Sequence, residues 1–305
     1  MDIRLYENKN EKKSMKIIVT GGAGFIGSNI AKELDKQHEV IVIDNFSNAD
    51  SKNVEGFKGK VINEDIRKID WNSLLSNEKT DAIFHEAAIT DTRVTDKNLM
   101  MDVNVNAFKK IMDYSVKKNI RLVYASSAAV YGRGKSPMLE NQEMAPLNIY
   151  GVSKMTMDNL AFDYMKKYPK AKIAGLRYFN VFGRGEKHKG PFASMIWQLH
   201  EQMKSGNRPR IFKDGEQTRD HVYVKDVVSA NLVMLSYSGN GVFNVGTGKE
   251  TSFNEIIKYL NETLKTKLET EYFDNPYSFF QDRTCADISK IKKLGYVPKF
   301  SVKEG

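Results

Sequence analysis

Cysteine is nearly absent from this chain. One residue in 305, Cys285, excludes an internal disulfide framework and a cysteine-based zinc site. The five histidines show no His-x-x-x-His spacing, so no metal is expected. No stretch reaches the roughly 18 apolar residues of a membrane-spanning helix. The polar segment 1–14 has no apolar core of the kind a signal peptide needs, and it reads as an N-terminal extension with Met15 as an alternative start. The cytoplasm is the expected location. Repeats, low-complexity tracts and long flexible linkers are also missing. What remains, 41% hydrophobic and 28% charged, is the composition of a globular protein with ample core.

The formal net charge is +9. Its basic residues fall in short lysine pairs such as Lys109/Lys110 and Lys166/Lys167, mixed with acids and without interleaved aromatics. That pattern describes solvated helix faces rather than a nucleic-acid surface. A basic field equally attracts a small anionic ligand, which is the expected partner.

From Lys16 onward, short apolar runs alternate with longer periodic ones. Strands are predicted at Lys16 to Thr20, Val40 to Asp44, Lys60 to Asn63, Ala82 to His85, Leu122 to Ala125 and Ile173 to Tyr178, with helices at about 24–36, 98–118 and 150–167. Alternation of this kind predicts an α/β fold with a doubly wound parallel sheet, the Rossmann arrangement. The expected dinucleotide-binding domain covers 15–179, with elements at about 221–250 returning to it. A smaller α/β substrate-binding lobe is expected from 180–220 and 251–305.

The first predicted strand runs into Gly21-Gly22-Ala23-Gly24-Phe25-Ile26-Gly27. Gly21 and Gly22 permit a tight turn, Gly24 lets backbone approach a pyrophosphate, and Gly27 lets the helix pack on the strand. The diphosphate would meet free N–H groups at the positive end of the helix dipole. Asp44 stands 17 residues after Gly27, at the end of the second strand, where a carboxylate accepts hydrogen bonds from ribose hydroxyls and favours NAD. Asn45 and Lys52 in the next turn could instead hold a 2′-phosphate. NAD and NADP both stay open.

Four Tyr-x-x-x-Lys pairs occur, and 14 tyrosines in a lysine-rich chain make chance pairs expected. Tyr131/Lys135 is interrupted by glycines, Tyr168 precedes Pro169, and Tyr114/Lys118 closes an amphipathic helix. Tyr150/Lys154 opens a fresh helix, so both side chains share one face. It also follows Tyr124-Ala-Ser-Ser127. A tyrosine with pKa of about 10 is a poor base at neutral pH. Lys154 one turn away is expected to lower it and to reach the nicotinamide ribose, while Ser127 orients the reacting oxygen.

Together these residues resemble the extended short-chain dehydrogenase/reductase superfamily from about Met15 to the C-terminus. The resemblance implies further cofactor contacts at Glu86, Ala87 and Ala88 in Phe84-His-Glu-Ala-Ala88, and at Asn104. It implies a diphosphate ligand at Arg219 in Arg219-Asp-His-Val-Tyr-Val-Lys-Asp226. Within the superfamily the segments Arg177-Tyr-Phe-Asn-Val-Phe-Gly-Arg-Gly-Glu-Lys-His-Lys-Gly190, Met100-Met-Asp102 and Asn275-Pro-Tyr-Ser-Phe-Phe-Gln281 resemble the ADP-glyceromanno-heptose 6-epimerase family. That likeness implies Lys189 as a second acid/base, and Asn180, Val181, Phe212 and Phe280 as substrate contacts. It implies a tightly bound nicotinamide cofactor, a nucleotide-diphosphate sugar as substrate, inversion of C6″ through a keto intermediate, and a homo-oligomer. Pro191, where relatives often carry a small polar residue, departs from the pattern. A UDP- or dTDP-sugar 4-epimerase and a non-catalytic nucleotide-binding regulator are the alternatives. Ala128-Ala129, in place of an Asp-Glu pair, argues against a dehydratase.

Overall fold

A computed structural model describes residues 14–74, 79–274 and 281–305. Its strands are β1 (Lys16–Thr20), β2 (Glu39–Asp44), β3 (Lys60–Asn63), β4 (Ala82–His85), β5 (Arg121–Ser127), β6 (Ile173–Tyr178), β7 (Asn180–Phe182), β8 (Arg210–Phe212), β9 (Thr218–Arg219), β10 (His221–Tyr223), β11 (Gly241–Val245), β12 (Thr251–Ser252), β13 (Glu271–Phe273) and β14 (Arg283–Thr284). Its helices are α1 (Phe25–Leu34), α2 (Trp71–Leu74), α3 (Lys97–Met101), α4 (Ala107–Lys118), α5 (Ile149–Lys167), α6 (Met195–Lys204), α7 (Val224–Ser236), α8 (Phe253–Leu264) and α9 (Ser289–Lys292).

Seven strands form one parallel sheet in the order β3-β2-β1-β4-β5-β6-β11. Its inner strands are almost continuous apolar runs because both faces are covered. The two-residue alternation of a strand divides them between two cores. Ile17 and Val19 pack with Ile30, Val227 and Met234 on the α1/α7 side, whereas Ile18 packs with Phe108, Ile111 and Met157 on the α4/α5 side. Each such side chain, fully buried, contributes about 1.5–3 kcal/mol. The strand order reverses between β1 and β4, which opens a crevice at their C-terminal ends.

The helical stretch predicted at 98–118 is interrupted. A single π turn, Asp102–Asn106, separates α3 from α4. Such turns insert a residue and re-aim a side chain, here Asn104. After β6 the elements shorten. A small core of Leu199, Met203, Ile211, Phe253, Ile256 and Ile257 joins α6, β8 and α8. Ser252 and Glu255 close a reciprocal capping box at the start of α8. Strand β11 returns to the large sheet beside β6.

Candidate active site

The turn between β1 and α1 is shaped by what glycine leaves out. A Cβ on Gly27 would lie 2.1 Å from the Gly21 carbonyl oxygen, and one on Gly21 would lie 2.5 Å from the Ala87 backbone nitrogen. Gly21 also holds φ +67°, a left-handed conformation. Helix α1 starts at Gly24 without a side-chain cap, so its first-turn N–H groups face the crevice as an anion cradle. Asp44 is buried. One of its carboxylate oxygens accepts from Ala23 N at 3.0 Å and the other from Phe46 N at 2.8 Å. A carboxylate has about four acceptor positions, so two remain for ribose hydroxyls. The cradle and the carboxylate together fit the pyrophosphate and ribose of a dinucleotide. Asn45 and Lys52 lie exposed on the adjoining turn, Lys52 within a 3-10 turn over Ser51–Val54.

Glu86, Ala87 and Ala88 follow β4 on the other side of the crevice. Asn104 is fully buried, and its amide accepts from Ile89 N at 2.8 Å and donates to Ile89 O at 3.0 Å and Ser153 Oγ at 2.9 Å. In this structure it ties the segment after β4 to α5, with its amide bonded to Ile89 and Ser153.

Helix α5 begins where Asn148 caps the Gly151 N–H at 2.8 Å, which places Tyr150 in the first turn and Lys154 one turn on. Ser127, at the end of β5, hydrogen-bonds the Tyr150 phenol. Lys154 is 2% exposed, donates to Ala125 O at 2.7 Å, and lies 5.9 Å from the Tyr150 ring centre. Ser127, Tyr150 and Lys154 are therefore gathered at one edge of the sheet. Their electrostatics correct one expectation. Burial raises the Tyr150 phenol above its ordinary value; Ser127 opposes that rise and the Glu86 carboxylate adds to it. The Lys154 ammonium is directed to a main-chain carbonyl, Ala125 O. Burial lowers Lys154 itself to about 8, against the opposing pull of Glu86 and Asp158.

Two groups around this trio were not singled out by sequence as acid/base partners. Burial pushes Glu86 up to about 7, and the Tyr178 hydroxyl, which donates to it at 2.9 Å, and Lys154 partly offset that. Asn231 in turn donates to Tyr178 Oη at 2.9 Å. The signal for Glu86 was a lone acidic residue inside an apolar strand end. Tyr178 lies within the Arg177–Gly190 segment of the resemblance, and nothing local in the sequence marks Asn231.

Lys189 approaches from elsewhere. It is half-buried in the segment Lys187–Phe192, with its ammonium 5.7 Å from the Phe25 ring centre and its pKa lowered by burial against the opposing Glu186 charge. Ile26 lies beside Phe25 at the start of α1. Asn180 and Val181 lie on β7, which pairs with β10 next to Arg219 on β9. Arg219 is partly covered, is lowered to about 10 by burial, and stands 5.9 Å from the Phe253 ring centre. Phe212 ends β8 against Phe273, with ring centres 6.0 Å apart. Phe280 lies outside the described residues. The remaining tyrosines of the Tyr-x-x-x-Lys pairs are structural: Tyr114 packs on Trp71, Tyr131 hydrogen-bonds Arg177 and Asn244, and Tyr168 ends α5. Among the described residues, no three His, Cys, Asp or Glu side chains gather as a metal site, and no helix is long and apolar enough to cross a membrane.

Comparison with known proteins agrees with this fold. Residues 17–246 match the model of the NAD dependent epimerase/dehydratase family. The chain belongs to that family. Among its members, the ADP-L-glycero-D-manno-heptose-6-epimerase of Brachyspira hyodysenteriae is 40% identical over 296 residues, 93% of each chain. The crystal structure of the Helicobacter pylori ADP-L-glycero-D-manno-heptose-6-epimerase has a TM-score of 0.89 at 36% identity, covering 97% of this chain and 95% of that one. A family member with another substrate is equally close in shape. The UDP-N-acetylglucosamine 4-epimerase of Methanobrevibacter ruminantium, in complex with UDP-N-acetylmuramic acid, has a TM-score of 0.89 at 30% identity over 94% of each chain.

Proposed function

We propose that this protein is an ADP-glycero-manno-heptose 6-epimerase that inverts C6″ of its sugar with a bound NAD or NADP. The observation that carries the chemistry is the convergence of Ser127, Tyr150 and Lys154 at the sheet edge that also bears the glycine cradle. Support for the sugar comes from relatives of that activity that match along nearly the whole chain.

Gly21, Gly24, Phe25, Ile26 and Gly27 would hold the pyrophosphate, Asp44 the ribose, and Lys154 the nicotinamide ribose. When bound, the dinucleotide supplies a hydride acceptor and donor and, in its oxidised form, a positive charge. Ser127 fixes the reacting sugar oxygen beside Tyr150. Tyr150, as its phenolate, would take the proton of the 6″-hydroxyl as the carbon is oxidised, and a nearby positive charge would favour that phenolate form against the cost of burial. After the ketone end has turned over, Lys189 supplies a proton to the oxygen in its second pose. Two acid/base groups on different elements suit an inversion, in which the same oxygen is protonated in two orientations. Arg219 would bind the diphosphate, and Asn180, Val181 and Phe212 would line the sugar-nucleotide site.

A panel of ADP-, UDP- and dTDP-sugars incubated with the purified protein tests this reading, with stereochemistry followed by NMR and the bound dinucleotide released and identified. Inversion at C6″ of ADP-heptose is expected. Turnover of a UDP-hexose alone would replace the sugar assignment with a 4-epimerase, and absence of turnover throughout would favour a non-catalytic nucleotide binder.

A further inference from the structure

The segment carrying Lys189 is held after Gly190, where Gln198 donates to Pro191 O and Ala193 O and Arg93 lies over the Phe192 ring, but it is rich in glycine around Lys189 itself. Gly183, Gly185 and Gly190 all sit at positive φ, at +133°, +106° and +51°. Its ends are tied internally by Glu186, a buried carboxylate that accepts from Gly183 N at 2.8 Å, Ser194 N at 2.6 Å and Ser194 Oγ at 3.1 Å. That clamp closes the loop on itself. It does not fix where the loop stands relative to the crevice.

Registration comes from across the crevice. The Asn53 amide nitrogen lies 3.1 Å from Ala23 O in the pyrophosphate turn, 3.3 Å from Gly185 O and 3.1 Å from His188 Nδ1. Its two N–H groups thus face two carbonyl acceptors, one on the cofactor cradle and one on the Lys189 loop, and His188 Nδ1 lies 3.0 Å from that same Gly185 O, which links Asn53 through the shared carbonyl to His188. Asn29 adds a parallel tie, donating to Phe25 O at 2.8 Å and Arg184 O at 3.1 Å. Ala23 N is itself held by Asp44. A hydrogen-bonded path therefore runs from the ribose carboxylate through Ala23 and Asn53 to the residue next to Lys189. The 3-10 turn bearing Asn53 buries none of its own residues, so packing does not account for this amide.

We propose that Asn53 is a positioning residue that sets the Lys189 loop in register with the pyrophosphate turn, so that the second acid/base group is placed relative to the cofactor and not merely to its own loop. This rests on the reading of Lys189 as that group. Asn53 touches no reacting atom; it acts through Gly185, His188 and the backbone between them. Asn53→Ala is expected to lower kcat for ADP-heptose epimerisation by between about tenfold and 100-fold, the scale of a displaced catalytic group. KM and the content of bound dinucleotide should stay near the parent values.

A double-mutant cycle with Lys189→Met decides the matter. If Asn53 works through Lys189, adding Asn53→Ala to Lys189→Met changes the residual kcat by less than about twofold. Asn53→Gln, which keeps the donor on a longer arm, should recover part of the rate, and it carries the same cycle should Asn53→Ala not accumulate as folded protein. An Asn53→Ala enzyme with parental kcat, or one whose loss is undiminished in the Lys189→Met background, overturns the inference and leaves Lys189 as the second base. Full activity of Lys189→Met itself is a different result, and it overturns both.

Discussion

Helix α5 carries two buried charge clusters one turn apart, and they are finished in opposite ways. In the first, Asp158 and Arg177 meet at 2.8 Å with side chains 0% and 1% exposed. The second Asp158 oxygen accepts from Tyr124 Oη at 2.9 Å, while Arg177 also donates to Tyr131 Oη at 2.8 Å and Glu140 O at 3.0 Å. In the second cluster, Lys154 and Glu86 influence each other, but each is directed elsewhere, Lys154 to Ala125 O and Glu86 to the Tyr178 hydroxyl. Burial is similar, yet the outcomes differ. The Arg177 pKa is raised because Asp158 and Tyr131 outweigh the cost of burial. Lys154 falls to about 8 and Glu86 rises to about 7, so both approach neutrality where a proton can be exchanged. A saturated pair holds the helix in place. An unsaturated one is available for chemistry.

The sharpest way to test that division is to delete from each side. Tyr150→Phe, beside the unsaturated cluster, should reduce epimerisation on the order of 10³-fold while thermal unfolding and dinucleotide content hardly change. Asp158→Ala should do the reverse. It strands Arg177 in the interior, and urea unfolding should register a loss of about 3–5 kcal/mol. If Asp158→Ala were as stable as the parent and inactive, the two clusters would not be separable.

Acidity offers a finer probe. Glu86 is raised from 4.5 to about 7 in the fold, so its protonated form is the one folding favours. Its contribution is complete below about pH 4.5 and disappears as pH climbs through about 7. Between those values the parent should lose stability that Glu86→Gln retains, and melting temperatures of the two proteins followed across that range check it. Parallel curves would mean that Glu86 is ionised throughout. The smallest effect is expected from Tyr131→Phe, which removes one hydroxyl between Arg177 and Asn244 and should cost about 1 kcal/mol with kcat intact.

Much of this architecture was legible beforehand because it is local. Apolar runs of strand length, the glycine spacing at 21–27 and a tyrosine-lysine pair at the start of a helix each carry their reason within a few residues. Choosing Tyr150 among four candidates needed only the glycines and proline that break the others. The protonation states were not legible. The Tyr150 phenol is raised chiefly by a burial that no spacing encodes, and further by Glu86, 64 positions away in the chain. Likewise Arg177 falls in a predicted strand, but its partner is Asp158 on the preceding helix, a contact that exists only once β6 lies beside β5. Asn53 escaped notice for the same reason, since its acceptors lie 30 and 132 positions away.

The π turn at Asp102–Asn106 sets a limit on how this scaffold tolerates changes in length. Removing a single residue there would let the helix relax to ordinary α geometry with the flanking turns nearly in phase, because the wide turn already absorbs the extra residue, and the re-aimed side chain at its centre would be lost. Asn104 would then turn away from Ile89 and Ser153, unfastening the strand exit from the helix that bears Tyr150. An engineer could extend the exposed loop tips of this protein with little consequence, but a one-residue deletion at that spot should silence it.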